Sequence, residues 1–391
     1  MARALERVEC LIVGAGVVGM ATARALALRG REVLVCEREG AVGQGTTSRN
    51  SEIIHAGLYY KPGSLKAKLC LQGREALYQY CSERGVQHNR CGKLVVASTE
   101  GQLPALRNLH ERAIANGVVD VRLVSPEEAK EMEPEVVCKE ALLSPSSGIL
   151  DSHALMRSLQ GDAEARGAVV ALRSPVRGAK VAAEGGIVAS VDGMDIGCRA
   201  LVNCAGLSAI DLAASVQGST PSSVPEAFFA KGNYFRYAGA HPFRRLVYPL
   251  PEPNYAGLGV HVTIDLAGKI RFGPDVEWVS RSESTDDADG FDYRVDPTRS
   301  EAFAESIRRY WPQVDESKLV PDYSGIRPKL RGPKGSLPSK PGKGDFDIQG
   351  SEAHGVIGLV NLMGLESPGL TASLAIAEHV ADMLESDLKH R

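Results

Sequence analysis

Three side chains, spread widely along the 391-residue chain, carry groups suited to moving a proton and gripping an anion: His55, His261 and Arg327. His261 lies in GLGVHVT (257–263), alternating with apolar neighbours. On a strand it points to the face opposite Val260 and Val262. An imidazole, with an ordinary pKa of about 6.5, is a general base near neutrality. A histidine on a polar sheet face accounts for the same pattern. His55 sits in IIHAG, where a satisfied core histidine is the simpler reading. Arg327, in SGIRPK, offers a planar fork that pairs a carboxylate through two parallel hydrogen bonds. Lys93, Lys231, Arg245 and Tyr255 are further candidates for a second anionic group, each read first as a solvated surface residue. No metal site is expected, because the nine histidines are dispersed and no Cys/His ligand spacing occurs.

The elements that must position such groups begin with Cys10 to Glu37. Cys10–Val13 reads as a buried parallel strand. Gly14, Ala15, Gly16, Val17, Val18 and Gly19 form G-x-G-x-x-G, and good helix formers follow to Arg29, with Gly30 as the stop. A second apolar run ends on Glu37, 18 residues past Gly19. This is a β-α-β dinucleotide fingerprint: glycines for a tight turn and close backbone approach, a helix N-terminus for pyrophosphate, and an acid for ribose hydroxyls. It leaves FAD and NAD both open. Further buried parallel strands are expected at 200–204 and 356–361. Short strands with glycine turns over 168–198 suggest a small antiparallel sheet, and 86–145 and 225–325 look β-rich. A helix is expected from near Ser64 to Arg84, and surface loops over 280–290 and 331–345. The fold class is α/β: a Rossmann-type domain built from 1–85, 146–220 and 325–391, with an inserted α+β domain of mixed or antiparallel sheet from 86–145 and 221–324. The formal net charge of −3 and the lack of basic clusters give no sign of nucleic acid. No apolar run approaches the roughly 20 residues of a membrane helix. Eight scattered cysteines without C-x-x-C suit a reducing compartment, and no secretory signal peptide is expected.

Several longer segments carry a family resemblance: GAGVVG (14–19), TSRNSEIIHAGLYYKPGSLKAKLC (47–70), CGKLVVA (91–97), SPSSGILDSH (144–153), LGVHVT (258–263), FGPDVEW (272–278), YSGIRPK (323–329) and NLMGLESPGLTASLAIAE (361–378). Across nearly its whole length the chain resembles the FAD-dependent oxidoreductases of the D-amino-acid oxidase and glycerol-3-phosphate dehydrogenase type. Within them it is similar to the L-2-hydroxyglutarate dehydrogenases. The resemblance implies FAD, held by residues 14–19, Glu37, Arg38, Thr47, Ser48, Arg49, Asn50, His55, Ala56, Gly57, Val176, Ala205, Gly206, Arg327, Gly364, Glu366, Ser367, Pro368, Gly369, Leu370 and Thr371. The last of these form a glycine turn at a helix N-terminus, which can stabilise negative charge on a reduced flavin. The resemblance further implies oxidation of L-2-hydroxyglutarate to 2-oxoglutarate by hydride transfer to flavin N5. Arg327 holds a carboxylate, and His261 or His55 acts as base, with Tyr60 and Ser367 also lining the substrate. Some relatives attach flavin covalently through a histidine in the His55 region, so base and anchor both stay open there. An amine or amino-acid oxidase of the same superfamily, or a non-catalytic FAD-binding protein, are the alternatives. The implied electron acceptor is a quinone or an electron-transfer protein. The compartment is mitochondrial for a eukaryotic member and cytoplasmic, or peripheral to a membrane, for a bacterial one.

Overall fold

In the computed structural model the described residues are 6–220, 223–251, 259–285, 287, 289–333 and 344–389. They cluster into two compact units. One is Met1–Ser48, Ser152–Phe228 and Arg327–Arg391; the other is Arg49–Asp151 and Phe229–Ile326.

The first unit is built on five parallel strands in the order Val169–Ala171, Val33–Cys36, Glu6–Val13, Met194–Asn203 and Leu359–Met363. The register sets Cys10 beside Val33 and Ala200, and Asn203 beside Val13 and Asn361. The interior residues of these strands are almost wholly buried, as a parallel sheet covered on both faces requires. The helix Val17–Leu28 packs against the helices Ser152–Glu164 and Gly369–Lys389. Its run of Ala21, Ala23, Ala25 and Ala27 is buried and lets those helices approach closely. The strands Val176–Val181 and Ile187–Val191 extend this same sheet antiparallel along the first half of Met194–Asn203. Val169–Ala171 departs from the expected antiparallel group and joins the parallel sheet at its edge. Its apolar run is short, with only three residues in the strand, and at the sheet edge Val169 is 59% exposed.

The second unit centres on a mixed sheet ordered Glu277–Val279, Phe228–Tyr237, Ile270–Gly273, His261–Ile264, Leu246–Pro249, Lys93–Ala97, Glu140–Ser144 and Arg122–Val124. Leu246–Pro249 and Lys93–Ala97 run parallel, and the other neighbours in this order antiparallel. Alternation divides the two faces. Leu94, Val96, Val247, Val262 and Phe272 meet Phe303, Ile307 and Trp311 on one. Val95, Ala97, Leu246 and Tyr248 meet Leu106, Leu109 and the stretch from Ile53 to Leu58 on the other. The helix Leu65–Arg84 starts at Ser64, whose hydroxyl accepts from the Ala67 N–H, and stops at Gly85 (φ 66°). Residues 49–85, expected with the nucleotide-binding segments, cluster here instead. Arg74 and Tyr78 tie that helix to Ser146 at 3.0 and 3.1 Å, contacts whose partners lie 72 and 68 residues away in sequence. The strand Leu319–Lys329 begins in this unit and ends in the other.

Candidate active site

In the first unit the strand Glu6–Val13 turns at Gly14 (φ +99°) into the helix. A Cβ there would stand 2.5 Å from the Cys204 carbonyl oxygen, and one on Gly19 would stand 2.0 Å from the Gly14 oxygen. Side chains are therefore excluded, and the turn lies flush against Cys204 and Ala205. Thr47 caps the helix start: its Oγ1 accepts from the Val17 N–H at 3.0 Å. Glu37 accepts through both oxygens, from the Ala15 N–H at 2.6 Å and the Glu39 N–H at 2.9 Å. Each oxygen keeps a second lone pair for a hydroxyl donor. Arg38 reaches Glu39 and Ser208. Val176 packs on the core cluster that contains Cys36.

The segment 47–50 divides between the units. Ser48 donates to the Gln44 and Gly45 carbonyls. Arg49 lies 3.8 Å over the Tyr293 ring and donates to the Ser324 carbonyl, while Asn50 Oδ1 accepts from the Glu52 N–H. These side chains brace loops.

The C-terminal turn of the first unit is packed from below. At Gly364 (φ +63°) a Cβ would meet Leu330 at 2.5 Å, and Lys329 Nζ lies 2.6 Å from Glu366. Arg327 is two residues ahead of Lys329 and shares its strand face. The sequence candidates Arg327 and Gly364–Thr371 thus belong to one neighbourhood, where the helix Gly369–Lys389 begins.

In the second unit His261 is buried, and its Nδ1 lies 2.8 Å from the Gly259 carbonyl. A carbonyl only accepts, so in the neutral ring Nδ1 carries the proton and Nε2 holds the basic lone pair. Gly259 has φ +78°, and a Cβ there would stand 2.8 Å from Pro249 Cγ. The imidazole stacks on Tyr248, with centroids 3.7 Å apart and planes at 15°. His55 follows the strand Ile53–Ile54, and its carbonyl accepts from the Cys70 thiol. The loop after it is pinned by Arg74 at Ala56 and by Asn116 at Gly57 and Tyr60.

The expectation of solvated lysines is overturned. Lys93 is 1% exposed, because its strand alternates it with Val95 and Ala97 towards the covered face. Lys231 is also buried and donates to the Arg294 carbonyl at 2.6 Å. Arg245 pairs with the buried Glu133, whose carboxyl is raised to about 7 by its burial. Tyr255, and residues 334–343 of the expected loop, lie outside the described residues. Sequence reading missed Tyr248 and Tyr59. The signal available was Lys93 itself, a lone cation opening an apolar strand.

The chain matches the family model "FAD dependent oxidoreductase" (DAO) over residues 9–383, and it belongs to that family. Among named relatives it is 47% identical to "L-2-hydroxyglutarate dehydrogenase, mitochondrial" of Arabidopsis thaliana, over 97% of this chain and 84% of that one. It is 30% identical to the Homo sapiens protein of the same name, over 96% and 88%. A solved L-alpha-glycerophosphate oxidase of Mycoplasma pneumoniae with FAD bound superimposes with a TM-score of 0.84 at 24% identity, covering 97% and 95% of the chains.

The cradle fits the adenosine and pyrophosphate end of FAD: two glycines that admit no side chain, a helix N-terminus, and a carboxylate fixed by two backbone donors. Glu37→Ala leaves the Ala15 and Glu39 N–H groups without that acceptor, at about 1–3 kcal/mol each where buried. The expected result is a melting temperature lowered by several degrees and FAD lost on gel filtration, read by thermal melt and flavin absorbance. Among the described residues no cluster of metal ligands occurs, and no helix is long and apolar enough to cross a membrane.

Proposed function

We propose that this chain oxidises L-2-hydroxyglutarate to 2-oxoglutarate. The observation that carries the reading is the 47% identity over 97% of the chain to a relative named for that reaction. FAD, held by the turn 14–19 and Glu37, would supply the acceptor for the C2 hydrogen and its electron pair. His261 Nε2 removes the hydroxyl proton as the C2–O bond becomes a carbonyl. The Gly259 carbonyl holds the imidazole in the tautomer this needs. Arg327 grips the C1 carboxylate with its fork. The turn Gly364–Thr371 sets a helix N-terminus where developing negative charge is stabilised. Electrons leave to a quinone or an electron-transfer protein. The eukaryotic relatives' names carry a mitochondrial location, which extends to this chain in a eukaryotic source.

The test is anaerobic mixing of purified holoprotein with L-2-hydroxyglutarate while the oxidised-flavin band is followed. Bleaching is expected with this substrate. A protein that stays oxidised here yet bleaches with glycine, sarcosine or another amino acid refutes the reading.

A further inference from the structure

We propose that Lys93 binds the distal carboxylate of the substrate and thereby selects a five-carbon diacid over a monoacid. This rests on the reading of the substrate as L-2-hydroxyglutarate.

Lys93 is 1% exposed, and no carboxylate pairs with it among the described residues. A buried ammonium without a counter-ion is costly. Its aromatic neighbours offset only part of that cost. Nζ lies 3.9 Å from the Tyr248 ring centroid and 5.8 Å from that of Tyr59, distances at which ring faces attract a cation. The Tyr59 hydroxyl oxygen is itself buried with no hydrogen-bond partner. Burial holds that phenol well above its usual range, so it stays a donor. A cation and an orphaned hydroxyl on one side of the sheet are what an incoming carboxylate satisfies.

The spacing agrees. The Tyr248 ring carries both the ammonium at 3.9 Å and the His261 imidazole at 3.7 Å, so those two groups lie no farther apart than the sum of these distances. In 2-hydroxyglutarate the distal carboxylate is three C–C bonds from the carbinol carbon, each about 1.5 Å. The ammonium and the imidazole lie too close to the ring to share one face, so they flank Tyr248, and a hydroxyl presented to His261 leaves the far carboxylate to reach Lys93 past the ring edge.

The surroundings also make the cation titrate. Burial lowers the Lys93 pKa to about 7, with the thiols of Cys70 and Cys91 acting the other way. Tyr59, Tyr248 and His261 are the other titratable groups placed around it. The ammonium is present below that pKa and is lost as pH rises through it. A bound carboxylate favours the charged form.

The experiment compares wild type with Lys93→Met, using L-2-hydroxyglutarate and L-2-hydroxypentanoate, which has a methyl in place of the distal carboxylate. In wild type kcat/KM strongly favours the diacid. In the variant that preference falls roughly 10- to 100-fold, the range of one charge-assisted hydrogen bond, while the monoacid rate holds. The diacid profile of wild type loses activity above about pH 7, and neither the monoacid profile nor the variant shows that limb. Removing an unpaired buried charge leaves the melting temperature equal or higher, whereas a structural lysine gives a lower one. Equal loss on both substrates overturns the proposal and leaves the function standing. Wild type that L-2-hydroxyglutarate does not reduce overturns the function instead. Lys93 is then judged by glutarate binding, read as a flavin difference spectrum. Binding weakened by Lys93→Met supports it, and binding absent or unaltered overturns it.

Discussion

Flavin reduction by L-2-hydroxyglutarate slows by about 10²- to 10⁴-fold in His261→Asn, the span that a positioned general base contributes. Asparagine is the informative replacement. Its amide is short, polar and able to donate to the Gly259 carbonyl as the ring nitrogen does at 2.8 Å, but it has no basic lone pair. Packing against Tyr248 is reduced while the strand His261–Ile264 keeps its register with Ile270–Gly273. Stopped-flow absorbance under anaerobic conditions isolates this step from reoxidation. His55→Asn is the paired control. His55 stands in a loop whose neighbouring carbonyls are pinned by Arg74 and Asn116, so its backbone course survives the change. A large loss in His55→Asn with a near-normal His261→Asn moves the base to His55.

Arg327→Ala lowers kcat/KM by roughly 30- to 4000-fold, equivalent to the about 2–5 kcal/mol lost when one partner of a buried charge pair is removed. The loss falls chiefly on KM if the carboxylate is held equally in ground and transition states, and on kcat if the grip tightens during the reaction. Arg327→Lys restores the charge without the fork, and recovers only part of the loss. Arg327 is partly exposed, in a strand end fixed by Leu330 against Gly364 and by Lys329 on Glu366, so the alanine variant should fold and bind flavin normally. Unchanged steady-state kinetics with full flavin content removes Arg327 from substrate binding.

The parts of this molecule that chain-local rules determine were legible from sequence. The turn 14–19 and Glu37 could be read because their constraints act within a few tens of residues: Gly14 on Gly19, and Ala15 on Glu37. The helix Leu65–Arg84 announced both ends through Ser64 and Gly85. The allegiance of that helix could not be read, because it depends on Arg74 and Tyr78 meeting Ser146. Lys93 shows the same limit. Its burial follows from the pairing of Lys93 with Leu246 and from the covering of that face by Leu106 and Leu109, events set by long-range register. Strand periodicity says that Lys93 and Val95 share a face, and is silent on whether water reaches it.

The contact between His261 and the Gly259 carbonyl has a consequence for how such a protein can diverge. Many catalytic histidines are oriented by a carboxylate brought from elsewhere in the fold, so two distant positions must change together. In the proposed reaction the base and its orienter are encoded within the tripeptide Gly259-Val260-His261, with Gly259 made obligatory by its φ of +78° and by Pro249. The unit is modular. Its tautomer travels with three consecutive codons, leaving the flanking strands and the residues around Lys93 free to be remodelled for a different acid while the proton acceptor stays in working order.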